Sequence, residues 1–209
     1  MIYSIQHDYS VVNSTHTPFR SMVLMSSENK DNSLKGIVLT SLFAAAGAAG
    51  GYLMMFVPNV EILTLFMFIS GYVLGISKGV TSAIIASVLY FGLNPQGGMF
   101  PPLLIAQILG LSVAPIAGSF YFKTVKKISP SQFNRHLLIA VSAVTVTVLF
   151  DLLTNVAFPI STGMGFKGII STLILGIPFS LMHISSNLLI FLFVTPPLLK
   201  LVDTNVNYH

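Results

Sequence analysis

The chain has no cysteine and no tryptophan. The first absence excludes a disulfide, a thiolate nucleophile and a cysteine metal site. The second leaves Phe and Tyr as the only residues that can build an aromatic belt or a stacking surface. Charge is scarce too: 8% of the 209 residues are charged, against about 25% in a soluble domain. No Gly-x-x-x-x-Gly-Lys-Ser/Thr sequence occurs, so the chain does not bind ATP through a P-loop, and His-Glu-x-x-His and Gly-x-Ser-x-Gly are also missing. What is abundant is hydrophobic residues, at 54%. This composition is that of an all-α, polytopic membrane protein in a lipid bilayer.

Apolar runs and their punctuation predict six spans in one domain, over residues 34–200. Helix 1 covers about Leu34–Val57 and stops at Pro58; helix 2 covers Ile62–Gly75 and is short for a span. After Gly75-Ile-Ser-Lys-Gly79, helix 3 covers Val80–Leu93. The uncharged turn-rich loop Asn94-Pro-Gln-Gly-Gly-Met-Phe-Pro-Pro102 leads to helix 4, Leu103–Phe122. The basic linker Lys123–Arg135 precedes helix 5, His136–Phe158. Helix 6 covers Gly168–Leu199, with Pro178 and Pro196-Pro197 expected to bend or end it. Residues 1–33 read as a polar, disordered tail with no apolar signal-peptide core, and 201–209 as a second short tail.

The basic residues give an orientation. In the six-helix layout Arg20, Lys30, Lys35, Lys78, Lys123, Lys126, Lys127, Arg135 and Lys200 fall on one side, and only Lys167 on the other. The positive-inside rule then places both termini in the cytoplasm of a multi-pass protein of the cell membrane. This sorting, rather than nucleic-acid binding, accounts for the net charge of +4. The outer loops are 57–61, 94–102 and 159–167, and Glu61 is their only acid.

Polar residues inside the spans carry the functional expectations. An ionisable group costs at least ~2.5 kcal/mol at the membrane centre, so it faces a cavity or a partner. Asp151 and Asn155 lie one helical turn apart in helix 5, on a face with Thr147 and with Thr154 beside it. Asp151 is roughly 10 Å below the outer surface, which points to an outward-open pocket. The competing expectation is a structural hydrogen-bond network between helices. His183 and Asn187 repeat the spacing in helix 6, with Ser180 on the same face. His183 could line the pocket floor, pair with Asp151 or pack as a neutral ring. One His and one Asp fall short of the three or four ligands of a metal site, and no cofactor is expected. Gln107, a buried amide in helix 4, needs a partner. Asn94 and Glu61 are loop candidates, and Tyr52 and Tyr90 could stack on a flat ligand. Ala44/Ala48 and Ala45/Ala49 in helix 1 are small residues four apart, suited to close helix packing, either inside the bundle or against another subunit.

Those features together resemble the S components, the substrate-binding membrane subunits of energy-coupling-factor vitamin transporters, over about residues 35–199. The Ala-x-x-x-Ala helix 1, the Pro58-Asn-Val-Glu61 turn, the Leu-Asn-Pro-Gln-Gly loop, Asp151-Leu-Leu-Thr-Asn155 and His183-Ile-Ser-Ser-Asn187 carry the resemblance. It implies a non-enzymatic subunit that binds a vitamin or precursor from outside. It also implies docking on a T subunit through helix 1, with two ATPase subunits driving release inside. Asp151, Asn155, His183, Asn187, Gln107, Thr154 and Asn94 would then contact a small, polar, nitrogen-containing heterocycle. Two other classes fit the residues: a small intramembrane enzyme using Asp151 and His183 as an acid–base pair, and an assembly subunit whose Ala/Gly face is its function.

Overall fold

The computed structural model describes residues 17–94 and 100–205, with side chains from Ser33 to Thr204; the expected tail before Thr17, Gln96 and the last four residues lie outside the described residues. Among the described residues there are five helices: α1 (Thr17–Met54), α2 (Leu63–Tyr90), α3 (Pro101–Ile128), α4 (Gln132–Ser161) and α5 (Gly165–Asn205). No strand occurs among the described residues. All five are long and apolar enough to cross a membrane, α1 through its part Ser33–Met54. Residues 1–38 and 39–209 form two separate compact units; the first holds the N-terminal part of α1, and the second holds everything described below.

Helix boundaries follow local chemistry. Pro101 and Pro102 occupy the first positions of α3, where a missing N–H costs nothing. Ser129, at φ 47°, closes α3, and Ser131 opens α4 by accepting a hydrogen bond from the Asn134 N–H at 3.3 Å. The basic linker therefore shrinks to residues 129–131, because its lysines extend α3 and its Arg135 belongs to the first turns of α4. Helix α1 likewise begins at Thr17, inside the stretch that composition assigns to the tail. Pro196 and Pro197 do not end α5, which runs on to Asn205. Two anchors hold the turns beyond them: Leu199 packs into the core, and Asp203 accepts a hydrogen bond from the Tyr72 hydroxyl at 2.8 Å.

Helix α2 is the element that differs most from a simple rod. Gly75 sits at φ 78°, ψ −179°, and breaks it into arms of residues 63–74 and 76–90. The arms fold back on each other. A Cβ on Gly79 would lie 2.9 Å from the Gly71 Cα, although eight residues of straight helix would separate them by about 12 Å. Both free ends of the arms meet α1: Gly47 and Gly50 lie against Leu63 and Phe66, and Gly51 against Tyr90. Glycine is required at residue 75 because an L side chain is strained at positive φ.

Two apolar clusters fill the bundle. One centres on Phe68, Tyr72, Tyr121 and Phe191, with the Phe68 and Phe191 rings 5.2 Å apart. The other joins Ala44, Leu63, Met67, Ala83, Leu111 and Val146. Outside them the surface stays apolar: Phe56, Phe133, Phe166, Leu175 and Phe193 are each about three-quarters exposed. Helices that are apolar on every face belong in lipid.

The helix 1 alanines divide between the two surfaces. Ala44 and Ala48 are buried in the chain's own bundle, so they are not available to a partner. Ala45 and Ala49 are exposed. Neighbouring residues on a helix point about 100° apart, so one pair faces inward and the next faces out.

Candidate functional site

A cavity of about 440 Å³ lies where the α1–α2 loop meets α3, α4 and α5. Of the residues expected to bind a ligand, Gln107, Asp151, Thr154, Asn155 and His183 line it. Helix periodicity brings them there: Asp151, Thr154 and Asn155 occupy one face of α4, and Ser180 and His183 one face of α5. The Asn155 amide rests on Gly176, where a Cβ would come within 3.1 Å, so α4 and α5 approach closely at this level.

Asn187 and Asn94 are placed differently. Neither lines the cavity. Asn187 is fully buried one turn behind His183; its Nδ2 donates to Thr147 Oγ1 at 3.0 Å and lies 3.1 Å from His183 Nε2. Its role here is to support the floor. Asn94 is half-buried after the end of α2.

The loop residue Glu61 completes the site. His183 Nδ1 is 2.8 Å from Asp151 Oδ1, and Nε2 is 3.3 Å from Glu61 Oε1, so the imidazole bridges two carboxylates from different elements. All three side chains are at most 13% exposed. The Thr64 hydroxyl also donates to Glu61 Oε1. Burial pushes the Glu61 carboxyl up, but hydrogen bonding and charge from His183, and then the Thr64 hydroxyl, outweigh it and hold the group below the ordinary carboxylate value. A further tie fixes the loop, as Ser186 Oγ donates to the Asn59 carbonyl. The sequence held one signal for Glu61: it is the only acid in the three loops 57–61, 94–102 and 159–167. Its distance of more than a hundred residues from His183 concealed the pairing.

Aromatic rings form one wall. Tyr52, Tyr90, Phe91, Phe150 and His183 contact one another in succession at centroid distances of 4.8–5.9 Å. Tyr90, Phe91 and Phe150 reach the cavity. Tyr52 stands behind Tyr90, its hydroxyl donating to the Leu89 carbonyl at 2.7 Å.

This arrangement has a defined chemistry. As an imidazolium, His183 donates from both nitrogens and the three-residue cluster carries one net negative charge. As a neutral ring with its proton on Nδ1, it keeps Asp151, and Nε2 becomes an acceptor suited to the Asn187 amide. Glu61 then loses the His183 donor and keeps the Thr64 hydroxyl. The ring's protonation thus decides whether Glu61 is tied to α5, while the Ser186–Asn59 hydrogen bond holds the loop to α5 in either state. Asp151 Oδ2 has no hydrogen-bond partner among the described residues and is free to accept one. No group of three or more His, Asp or Glu side chains among the described residues is placed to hold a metal ion.

No family model, curated protein or solved structure matches this chain.

Proposed function

We propose that this chain is the substrate-binding subunit of an energy-coupling-factor-type transporter, an S component that takes up a small vitamin or vitamin precursor. The observation that carries the reading is the polar cavity of about 440 Å³ set inside an apolar helical bundle. Small-molecule sites are typically ~300–1,000 Å³, with a few convergent polar groups among aromatic ones. The surplus negative charge of Glu61, His183 and Asp151 favours a ligand with a protonated or strongly donating nitrogen. Tyr90, Phe91 and Phe150 suit a flat ring, and Gln107 and Asn155 supply both donors and acceptors.

In this reading the two arms of α2 are two short crossings. The chain then spans the cell membrane six times, with both termini in the cytoplasm and the cavity opening outward. Exposed Ala45 and Ala49 face the T subunit, and two partner ATPases supply the energy. Single cysteines test the topology: one at Gly163 reacts with an impermeant reagent added outside intact cells, and those at Ser77 and Ser129 do not. Reaction at Ser129 from outside refutes it.

The binding test is mass spectrometry of small molecules retained by the purified chain, followed by titration of the compound found. Asn155→Leu keeps the ligand-free melting temperature within a few degrees of wild type. It weakens binding by about ten-fold or more, since a hydrogen bond to a charged group is worth ~1.5–3 kcal/mol. Unchanged affinity in this variant removes the cavity from consideration. The bridged Asp151–His183 pair keeps one alternative alive, an intramembrane acid–base enzyme; turnover of a retained compound by the purified chain alone favours that reading.

A further inference from the structure

At the opposite end of the bundle a second cavity, of about 450 Å³, opens between the ends of α3 and α5 and the start of α4. Its lining is of two kinds. Arg135 and Lys200 bring positive charge, His136 an imidazole and Tyr121 a phenol; Val125, Ile139, Leu199 and the Pro196-Pro197 pair form an apolar side. Among the described residues Asp203 is the only acid that lines it, and it already accepts the Tyr72 hydroxyl. Arg135 and Lys200 therefore leave a positive surplus. Lys123, Lys126 and Lys127 follow within the last turns of α3, so the cavity lies at the most basic end of the described chain. Ile128, Phe133 and Leu201, next in sequence to these helix ends, are exposed and apolar, as suits lipid.

We infer that this cavity binds the headgroup phosphate of an anionic phospholipid, with the first acyl carbons lying on its apolar side. The reasoning is chemical. A guanidinium and an ammonium recognise phosphate oxygens directly. Basic pockets between helices at the cytoplasmic membrane face attract anionic headgroups. A soluble anion would gain nothing from the proline–leucine side, whereas a lipid uses both. The site shares no residue with the Glu61–His183–Asp151 cavity and does not depend on what that cavity takes up.

The test uses the full chain purified in a neutral detergent at low salt. Its thermal unfolding is followed while phosphatidylglycerol, phosphatidylcholine of the same acyl chains, or inorganic phosphate is titrated in. Phosphatidylglycerol raises the melting temperature saturably, and phosphatidylcholine and inorganic phosphate do not. Lys200→Gln, an exposed position that folding tolerates, weakens the apparent affinity about five-fold; Arg135→Gln/Lys200→Gln weakens it about thirty-fold. Lys123→Gln, outside the cavity, leaves it within two-fold. An equal response to phosphatidylcholine overturns the inference, and so does an equal response to inorganic phosphate, which would identify the ligand as the free ion. Equal losses in Lys123→Gln and Lys200→Gln would show diffuse charge attraction and overturn it as well.

Discussion

His183→Leu lowers the melting temperature of the ligand-free protein by on the order of 10 °C. The imidazole bridges Asp151 and Glu61 at 2.8 and 3.3 Å in a site nearly closed to solvent. Removing it leaves two buried carboxylates facing each other across an apolar side chain. Breaking a buried pair by deleting one partner costs about 3–5 kcal/mol, and each kcal/mol is worth roughly 2–4 °C in a chain of this size. Asp151→Asn does less harm, because the amide oxygen still accepts the Nδ1 proton. Glu61→Gln does least, at the longer contact. The double variant Asp151→Leu/His183→Leu loses less than the sum of its single changes, since the second removes a charge that the first stranded. Thermal unfolding of wild type, Asp151→Leu, His183→Leu and the double variant decides it; strictly additive losses would show that the groups do not interact.

Gly118→Ala and Gly71→Ala prevent folding or leave a protein destabilised by at least about 3 kcal/mol, at or beyond the upper end of ordinary overpacking. At Gly118 an added Cβ would sit 1.9 Å from the Phe68 carbonyl oxygen, and at Gly71 1.8 Å from the Pro115 carbonyl oxygen. The obstacle is backbone in both cases, so no rotamer change relieves it; the α2 arm and α3 would have to move apart by more than an ångström. That separation opens the cluster around Phe68, Tyr121 and Phe191. Gly50→Ala is the control. Its Cβ meets side chains alone, the edge of the Phe66 ring at 3.3 Å and the Ile62 Cβ at 3.7 Å, and it costs no more than about 1 kcal/mol. The yield of monodisperse protein in detergent and the melting temperature of each variant give the comparison. A Gly118→Ala protein as stable as Gly50→Ala would mean that the α2–α3 crossing is looser than described.

The membrane character and the helical class are written in the composition, because lipid admits only elements that satisfy their own backbone hydrogen bonds. The places where the chain turns are also legible: Pro58, Gly75 and Ser129-Pro130 all mark real breaks, since their backbone chemistry is local. Helix lengths are less so. Propensity does not show that α3 continues through its lysines, nor that α5 passes Pro196-Pro197; these extensions depend on contacts such as Tyr72 with Asp203. The shared faces Asp151/Asn155 and Ser180/His183 follow from a fixed 3.6-residue period, so the residues of each pair could be grouped on their own helix before any coordinates existed.

Tertiary structure alone decided the rest. Periodicity says which residues share a helix face, but not which face of one helix meets which face of another. It could not separate Ala44 and Ala48, packed inside, from Ala45 and Ala49, left outside. Nor could it set Asn187 behind His183 rather than in the cavity. Above all, Glu61 reaches His183 only because the reversal at Gly75 and the close α2–α3 crossing bring the start of α2 against α5. A pairing across that much intervening chain is fixed by packing, where small differences in shape choose the neighbour.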